Sequence, residues 1–173
     1  MQTGKLRIYF GYAAGVGKTY AMLNEAQKAK KAGVDVVAGY IEPHNRPETT
    51  ALLAGLEHLS PKTIKYKGIT LKEFDIDAAL KRQPHIILVD ELAHTNSFGS
   101  RNKKRYQDIR ELLCAGINVY TTVNVQHIES LNDVIETITG IQVNERIPDA
   151  VFNQADQIEL VDIEPLDLLE RLD

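Results

Sequence analysis

With 173 residues, 43% of them hydrophobic and 25% charged, the chain has the make-up of a single soluble globular domain spanning 1–173. Its net charge of −4 excludes a general electrostatic attraction to DNA or RNA, and it holds no run of about 18 apolar residues with which to span a membrane. One cysteine, Cys114, excludes an internal disulfide framework, and the N-terminus lacks the apolar core of a signal peptide, so the expected compartment is the cytoplasm.

In chain order, the apolar run Leu6–Phe10 predicts a first strand. The helical spacing of Met22, Ala26 and Ala29 predicts a helix over about 18–31, with Gly33 just past its end. Val34–Ile41 reads as a second strand, and the polar loop Glu42–Pro47 leads into a helix running through about His58. Thr63–Lys67 and Ile69–Leu71 flank Gly68 and read as short edge structure. A helix over Asp75–Arg82 stops before Pro84, and His85–Val89 is apolar enough for a strand buried on both faces. Residues 92–103 are polar and glycine-containing, which reads as a mobile loop. A helix over Lys104–Ala115 closes at Gly116, a strand follows over Ile117–Val123, and a helix over Gln126–Thr139 ends at Gly140. Short strands at Gln142–Arg146 and Gln157–Val161 and a helical tail at Pro165–Leu172 complete the pattern. Strand–helix alternation of this kind predicts an α/β three-layer sandwich with a mostly parallel sheet.

Ligands of such sheets bind beyond the carboxyl ends of the strands, so the residues after each strand carry the functional argument. After the first strand comes Gly15-Val16-Gly17-Lys18-Thr19-Tyr20, opening onto a helix. Strand, glycine-rich turn, Gly-Lys-Thr and helix are the context of a P-loop, the phosphate cradle of nucleotide-binding proteins. The glycines allow backbone N–H groups to turn toward a polyphosphate, and the helix N-terminus adds a positive dipole end. In that reading Lys18 reaches the β/γ phosphates and the Thr19 hydroxyl holds Mg²⁺. The strict pattern places glycine where this chain has Tyr12; the nearest, Gly11, stands one residue early.

Four apolar residues, Ile86 to Val89, lead into Asp90 and Glu91, the Walker B arrangement. Asp90 is expected to hold Mg²⁺ opposite Thr19, and Glu91 to orient an attacking water or to close the site. Together the two motifs define a P-loop NTPase-like fold with ATP and Mg²⁺ as expected ligands. After the second strand, Arg46 reads either as a contact to the terminal phosphate or as part of a solvated polar loop. After the fourth, Asn124 reads as a γ-phosphate sensor or as the start of the next helix. The loop from His94 to Arg105 reads as a switch segment or as a solvated basic loop, with Arg101 and Arg105 available to clamp phosphate or dock a partner. Asp90-Glu91-Leu92-Ala93-His94 also spells D-E-x-x-H, but a helicase needs two such domains and a nucleic-acid track.

With these residues in place the chain resembles the N-terminal cytoplasmic domain of the KdpD sensor histidine kinases. The likeness rests on Phe10–Thr19, Glu42–Arg46, Val89–Asn96, Gly99–Arg101, Thr121–His127 and Glu159–Asp162. The Gly11 offset belongs to the family pattern. The chain departs from that pattern at Pro43 and Asn45, where Thr and Gly are expected, and near Phe98 and Asn102, where proline and histidine are expected. The resemblance implies an ATP-binding regulatory domain of a two-component sensor kinase controlling potassium uptake under potassium limitation or osmotic stress. It implies the other domains of the parent kinase, and the response regulator KdpE, as partners. The chain itself carries neither a phospho-accepting H-box nor a histidine-kinase ATP lid, so it reads as an excised domain or a short stand-alone relative. The rival reading is a P-loop ATPase or kinase acting on a protein or small molecule, with Glu91 as base. A third is an interaction module that uses no nucleotide.

Overall fold

The computed structural model describes residues 3–11, 17–42, 47–140 and 145–161. In chain order the elements are β1 (Leu6–Gly11), α1 (Lys18–Lys31), β2 (Val36–Tyr40), α2 (Pro47–Leu53), β3 (Glu57–His58), β4 (Lys62–Tyr66), β5 (Ile69–Glu73) and α3 (Ile76–Arg82). They continue with β6 (Ile86–Val89), α4 (Arg105–Cys114), β7 (Asn118–Asn124), α5 (Glu129–Thr139), α6 (Asp149–Asn153) and β8 (Gln157–Leu160). A 3-10 turn over Val125–His127 joins β7 to α5. Six strands form one sheet in the order β3-β2-β6-β7-β1-β8, and every pairing in it is parallel.

Both faces of this sheet are covered, which is why β2 and β6 are apolar without alternation. Ile86 and Leu88 of β6 point to one side, where they pack with Tyr9, Met22, Leu23, Ala26, Val36 and Leu56 beneath α1 and α2. Ile87 and Val89 point to the other, where Ile109 and Leu112 of α4 close a second core with Ile8 and Val119. The result is the three-layer sandwich of P-loop NTPase-like proteins, as the strand–helix alternation predicts. Gly39 belongs to this packing: a Cβ there would stand 2.7 Å from Ile87 Cδ1 and 2.9 Å from the Phe74 ring.

The departures from the sequence reading have local causes. The second helix ends at Leu53 rather than near His58, because Gly55 adopts φ +84 and turns the chain. Glu57 and His58 then join the sheet edge beside β2. β4 and β5 form a separate antiparallel hairpin instead of extending the main sheet. Its turn residues, Lys67 (φ 50) and Gly68 (φ 78), give the left-handed pair that a two-residue hairpin turn needs. α6 is a five-residue helix, too short to show a period, and its Phe152 meets Phe10 of β1 edge to face, with ring centres 5.3 Å apart. The expected strand at 142–146 and the helical tail lie largely or wholly outside the described residues; Glu145 and Arg146 belong to no strand.

Arg105 ties these parts together. Its side chain is fully buried, stacked over Tyr40 with the guanidinium carbon 4.3 Å from the ring centre. It donates to the Asp90 carbonyl at 3.0 Å and to the Glu73 carboxylate at 3.2 Å. Glu73 also accepts from the Ser97 amide and hydroxyl and from His94 Nε2 at 3.0 Å. Arg101 pairs with Asp77 and Glu111. Asn96 and Asn102 both donate to Asp108, and Lys104 Nζ donates to the Ala93 carbonyl. The 92–104 segment is therefore cross-linked by hydrogen bonds, and Arg101 and Arg105 are occupied within the fold rather than presented as a basic loop.

Two outcomes follow from this buried pair. Removing Arg105 takes away the cation that faces buried Glu73 and leaves its bonds from His94 and Ser97, so Arg105→Ala is expected to lower unfolding stability by about 3 kcal/mol, read as a fall in the urea midpoint. Burial alone would raise the Glu73 pKa, but the bonds from His94 and Ser97 and the nearby Arg105 charge outweigh it and hold the carboxyl at about 2. The stabilisation from Glu73 is thus complete above the ordinary glutamate range and is lost as pH falls from about 4.5 toward 2. Urea midpoints measured across this interval should drop more steeply for the wild type than for Glu73→Gln, and parallel slopes would refute the assignment.

Candidate nucleotide site

The parallel sheet delivers the ends of β2, β6 and β7 and the start of α1 to one edge. The cleft there is lined by Gly17, Lys18, Thr19 and Tyr20 from α1 and its lead-in, Thr49 from α2, and Asp90, Glu91 and His94 from the end of β6. Thr122, Asn124 and His127 from β7 and its exit, with Glu145, complete it. Gly17 takes φ +91 where the chain enters α1, a conformation that L side chains rarely adopt. It offers no side chain to cap the helix, and no acidic residue occupies the first turn, so the positive end of α1 is left to face the cleft. Lys18 is buried at its foot.

Asp90 is the centre of the arrangement. It is 1% exposed, and its carboxylate gathers donors from three elements. Thr19 Oγ1 on α1 lies 3.3 and 3.2 Å from its two oxygens. The Glu42 amide, just past β2, donates at 3.1 Å. Thr122 on β7 donates its hydroxyl to the same carboxylate. The Asp90 amide donates to the Tyr40 carbonyl at 2.8 Å, so its main chain is fixed between β2 and Arg105. Buried charge is tolerated in this way, by several hydrogen bonds to the ionised form.

Glu91 occupies the mouth of the cleft. Its φ of +62 is strained for a residue with a side chain. The turn is pinned by the Glu91 amide on Thr122 Oγ1 (3.0 Å) and by the Leu92 amide on the Thr122 carbonyl (2.8 Å). Burial, helped by the neighbouring Glu42 and Asp90 charges, pushes its carboxyl above the ordinary glutamate value against the opposing pull of Arg105 and His94. His94 Nδ1 stands 4.0 Å from its Oε2 while the other ring nitrogen bonds Glu73.

Of the residues singled out from sequence, the structure brings Lys18, Thr19, Tyr20, Asp90, Glu91 and Asn124 to one cleft, with Gly17 at its helix entry. Gly15, Val16 and Arg46 lie outside the described residues. Sequence reasoning passed over Thr122 and Thr49. For Thr122 a signal exists: counting in twos from Asp90 across the register of β6 and β7 puts Tyr120, Thr122 and Asn124 on the side of the sheet that carries Asp90. Thr49 carries none, since a threonine in a short helix is ordinary.

The comparisons with known proteins cover almost the full chain. A family model described as "KdpD: Osmosensitive K+ channel His kinase sensor domain" matches residues 2–173. The Sensor protein KdpD of Clostridium acetobutylicum is 63% identical over 168 residues, covering 97% of this chain and 19% of the relative. That of Escherichia coli is 57% identical over 169 residues, 98% of this chain and 19% of the relative. That of Mycobacterium tuberculosis is 55% identical over 169 residues, 98% of this chain and 20% of the relative. The chain thus spans about one-fifth of the length of these relatives. A family model that matches nearly the whole chain and relatives more than half identical over it show that the chain belongs to the KdpD family of osmosensitive K+ channel His kinase sensor domains.

Proposed function

We propose that this chain is an ATP-binding regulatory domain of a two-component sensor histidine kinase that controls potassium uptake under potassium limitation or osmotic stress. The observation that carries the reading is the junction of Thr19 and Asp90 at the foot of a cleft that also buries Lys18. A hydroxyl and a carboxylate within hydrogen-bond distance of one another are hard oxygen donors of the kind Mg²⁺ prefers. Thr19 and Asp90 would hold the ion, directly or through water, and it would supply positive charge against the terminal phosphates. Lys18 and the first-turn amides of α1 would bind the phosphate chain, with Gly17 at the turn and Tyr20 and Asn124 in the cleft lining, and Gly15, Val16 and Arg46 are assigned to the same site on sequence alone.

In this reading the nucleotide state is sensed at Asp90 and felt elsewhere through what Asp90 touches. Its carbonyl is held by Arg105, and Arg105 shares Glu73 with His94 and Ser97. A shift of Asp90 is therefore opposed or followed by the 92–104 segment. The recipients of that shift would be the other domains of the parent kinase, with the response regulator KdpE downstream, all on the cytoplasmic side. Among the described residues no helix is long and apolar enough to cross a membrane.

Glu91 supports a second reading, a P-loop ATPase or kinase. A carboxylate with raised proton affinity, held at the cleft mouth by a strained backbone, is suited to accept a proton from an attacking water or hydroxyl.

Calorimetric titration of ATP–Mg²⁺ into the purified chain is expected to show micromolar binding, weakened about tenfold to a hundredfold in Lys18→Ala through loss of charge-assisted contacts. Unchanged affinity in that variant would overturn the binding assignment. Phosphate release separates the two readings. For the regulatory domain, Glu91→Gln keeps its ATP affinity and there is no sustained turnover to lose; turnover in the wild type that disappears in Glu91→Gln selects the enzyme.

A further inference from the structure

We propose that the β4–β5 hairpin, together with Phe98, is a docking surface for an anionic lipid bilayer. The hairpin stands apart from the main sheet as its own two-stranded unit. Its tip is apolar and open: Ile69 is 61% exposed, and it pairs across the hairpin with Tyr66. Phe98, 79% exposed, lies against Tyr66 with ring centres 5.6 Å apart, so loop and hairpin share one projecting cluster. Large apolar side chains gathered at a convex tip bury no core and are costly to leave in water.

The exposed charges of the hairpin itself are of one sign. Lys62, Lys65, Lys67 and Lys72 are all exposed and none makes an ion pair, whereas Arg82, Arg101 and Arg105 each hold a carboxylate. Lys65 and Lys72 share one face through the pairings Lys65↔Thr70 and Thr63↔Lys72. Lys67 sits at the turn, 5.3 Å from the centre of the Tyr66 ring. Glu73, the hairpin's one acidic residue, is buried and turned inward to Arg105 and His94. A chain with net charge −4 therefore presents four lysines free of ion pairs on the hairpin that carries Tyr66 and Ile69, with Lys65 and Lys72 on one face and Lys62 on the other with Tyr66.

An acidic protein surface would also answer to positive charge, but the residue types favour lipid. Protein interfaces are enriched in arginine and depleted in lysine, and this hairpin holds four lysines and no arginine. Lysines flanking exposed aromatic and aliphatic side chains are the pattern that draws a segment to anionic headgroups, each worth roughly a fivefold gain in partition. The surface is separate from the nucleotide cleft, and the inference does not depend on ATP binding.

Co-sedimentation of the purified chain with vesicles of phosphatidylcholine containing roughly one-third phosphatidylglycerol tests it. The wild type is expected to bind these vesicles and not phosphatidylcholine alone, and to be released by high salt. Lys65→Gln with Lys72→Gln should weaken partition about thirtyfold. Phe98→Ser should weaken it while leaving the salt dependence unchanged. These positions are exposed, so unaltered urea midpoints will show that the variants remain folded. Equal binding to both kinds of vesicle, or undiminished binding by the lysine variant, would overturn the proposal. So would a wild type that ignores vesicles but binds immobilised polyglutamate through the same lysines, which would assign the surface to an acidic protein instead.

Discussion

A carboxylate removed from water must be surrounded by donors or give up its charge, and the architecture at the sheet edge is organised around meeting that demand at Asp90. The donors come from residues far apart in sequence: Thr19 on α1, the Glu42 amide beyond β2 and Thr122 on β7. No local segment could supply them. They converge because parallel strands all end at the same edge, which makes the placement of Asp90 a consequence of sheet topology rather than of its own loop. The same constraint explains the strained turn at Glu91. Once Thr122 has given its hydroxyl hydrogen to Asp90, its oxygen accepts the next amide, and the chain must bend sharply to reach it.

Behind Asp90 stands a second buried charge, Arg105, and the two share main-chain and aromatic contacts through Tyr40. Arg105 is the kind of residue whose role is decided by packing. It is one of several basic residues in a polar stretch, and only the arrival of Glu73 from the hairpin distinguishes it from its solvated neighbours. A pair of this kind is a poor source of net stability but a strict one, because neither member tolerates loss of the other. It makes the hairpin, the 92–104 segment and the cleft parts of one cooperative structure.

This contrast also explains how much could be read beforehand. The apolar strands, α1 and the order of the two strand-end motifs were legible because each is encoded in neighbouring residues: Leu6–Phe10, the Gly17-Lys18-Thr19 turn, and Ile86–Val89 leading to Asp90. The convergence of Thr19 and Asp90 was legible from the rule that ligands gather at strand ends. The end of α2 was misplaced because Gly55 carries more weight than the helical pattern around it, and α6 was too short to have a pattern. Thr122, Arg105 and the tethering of 92–104 were hidden for a different reason. Each depends on a partner dozens of residues away, such as Thr122 on Asp90 or Arg105 on Glu73, and composition does not reveal pairing at that distance.

The strand order has a bearing on biosynthesis. β1 precedes every other strand of the sheet in sequence, yet its two neighbours there are β7 and β8, which follow all the rest. As the polypeptide leaves the ribosome, α1 can rest on β2 and β6, but β1 has no partner in the sheet until residues 118–124 have followed. Long-range parallel pairing is entropically expensive and slow to form. The cleft thus takes shape only once β7 has been made, and a growing chain remains blind to any ligand of that cleft until then.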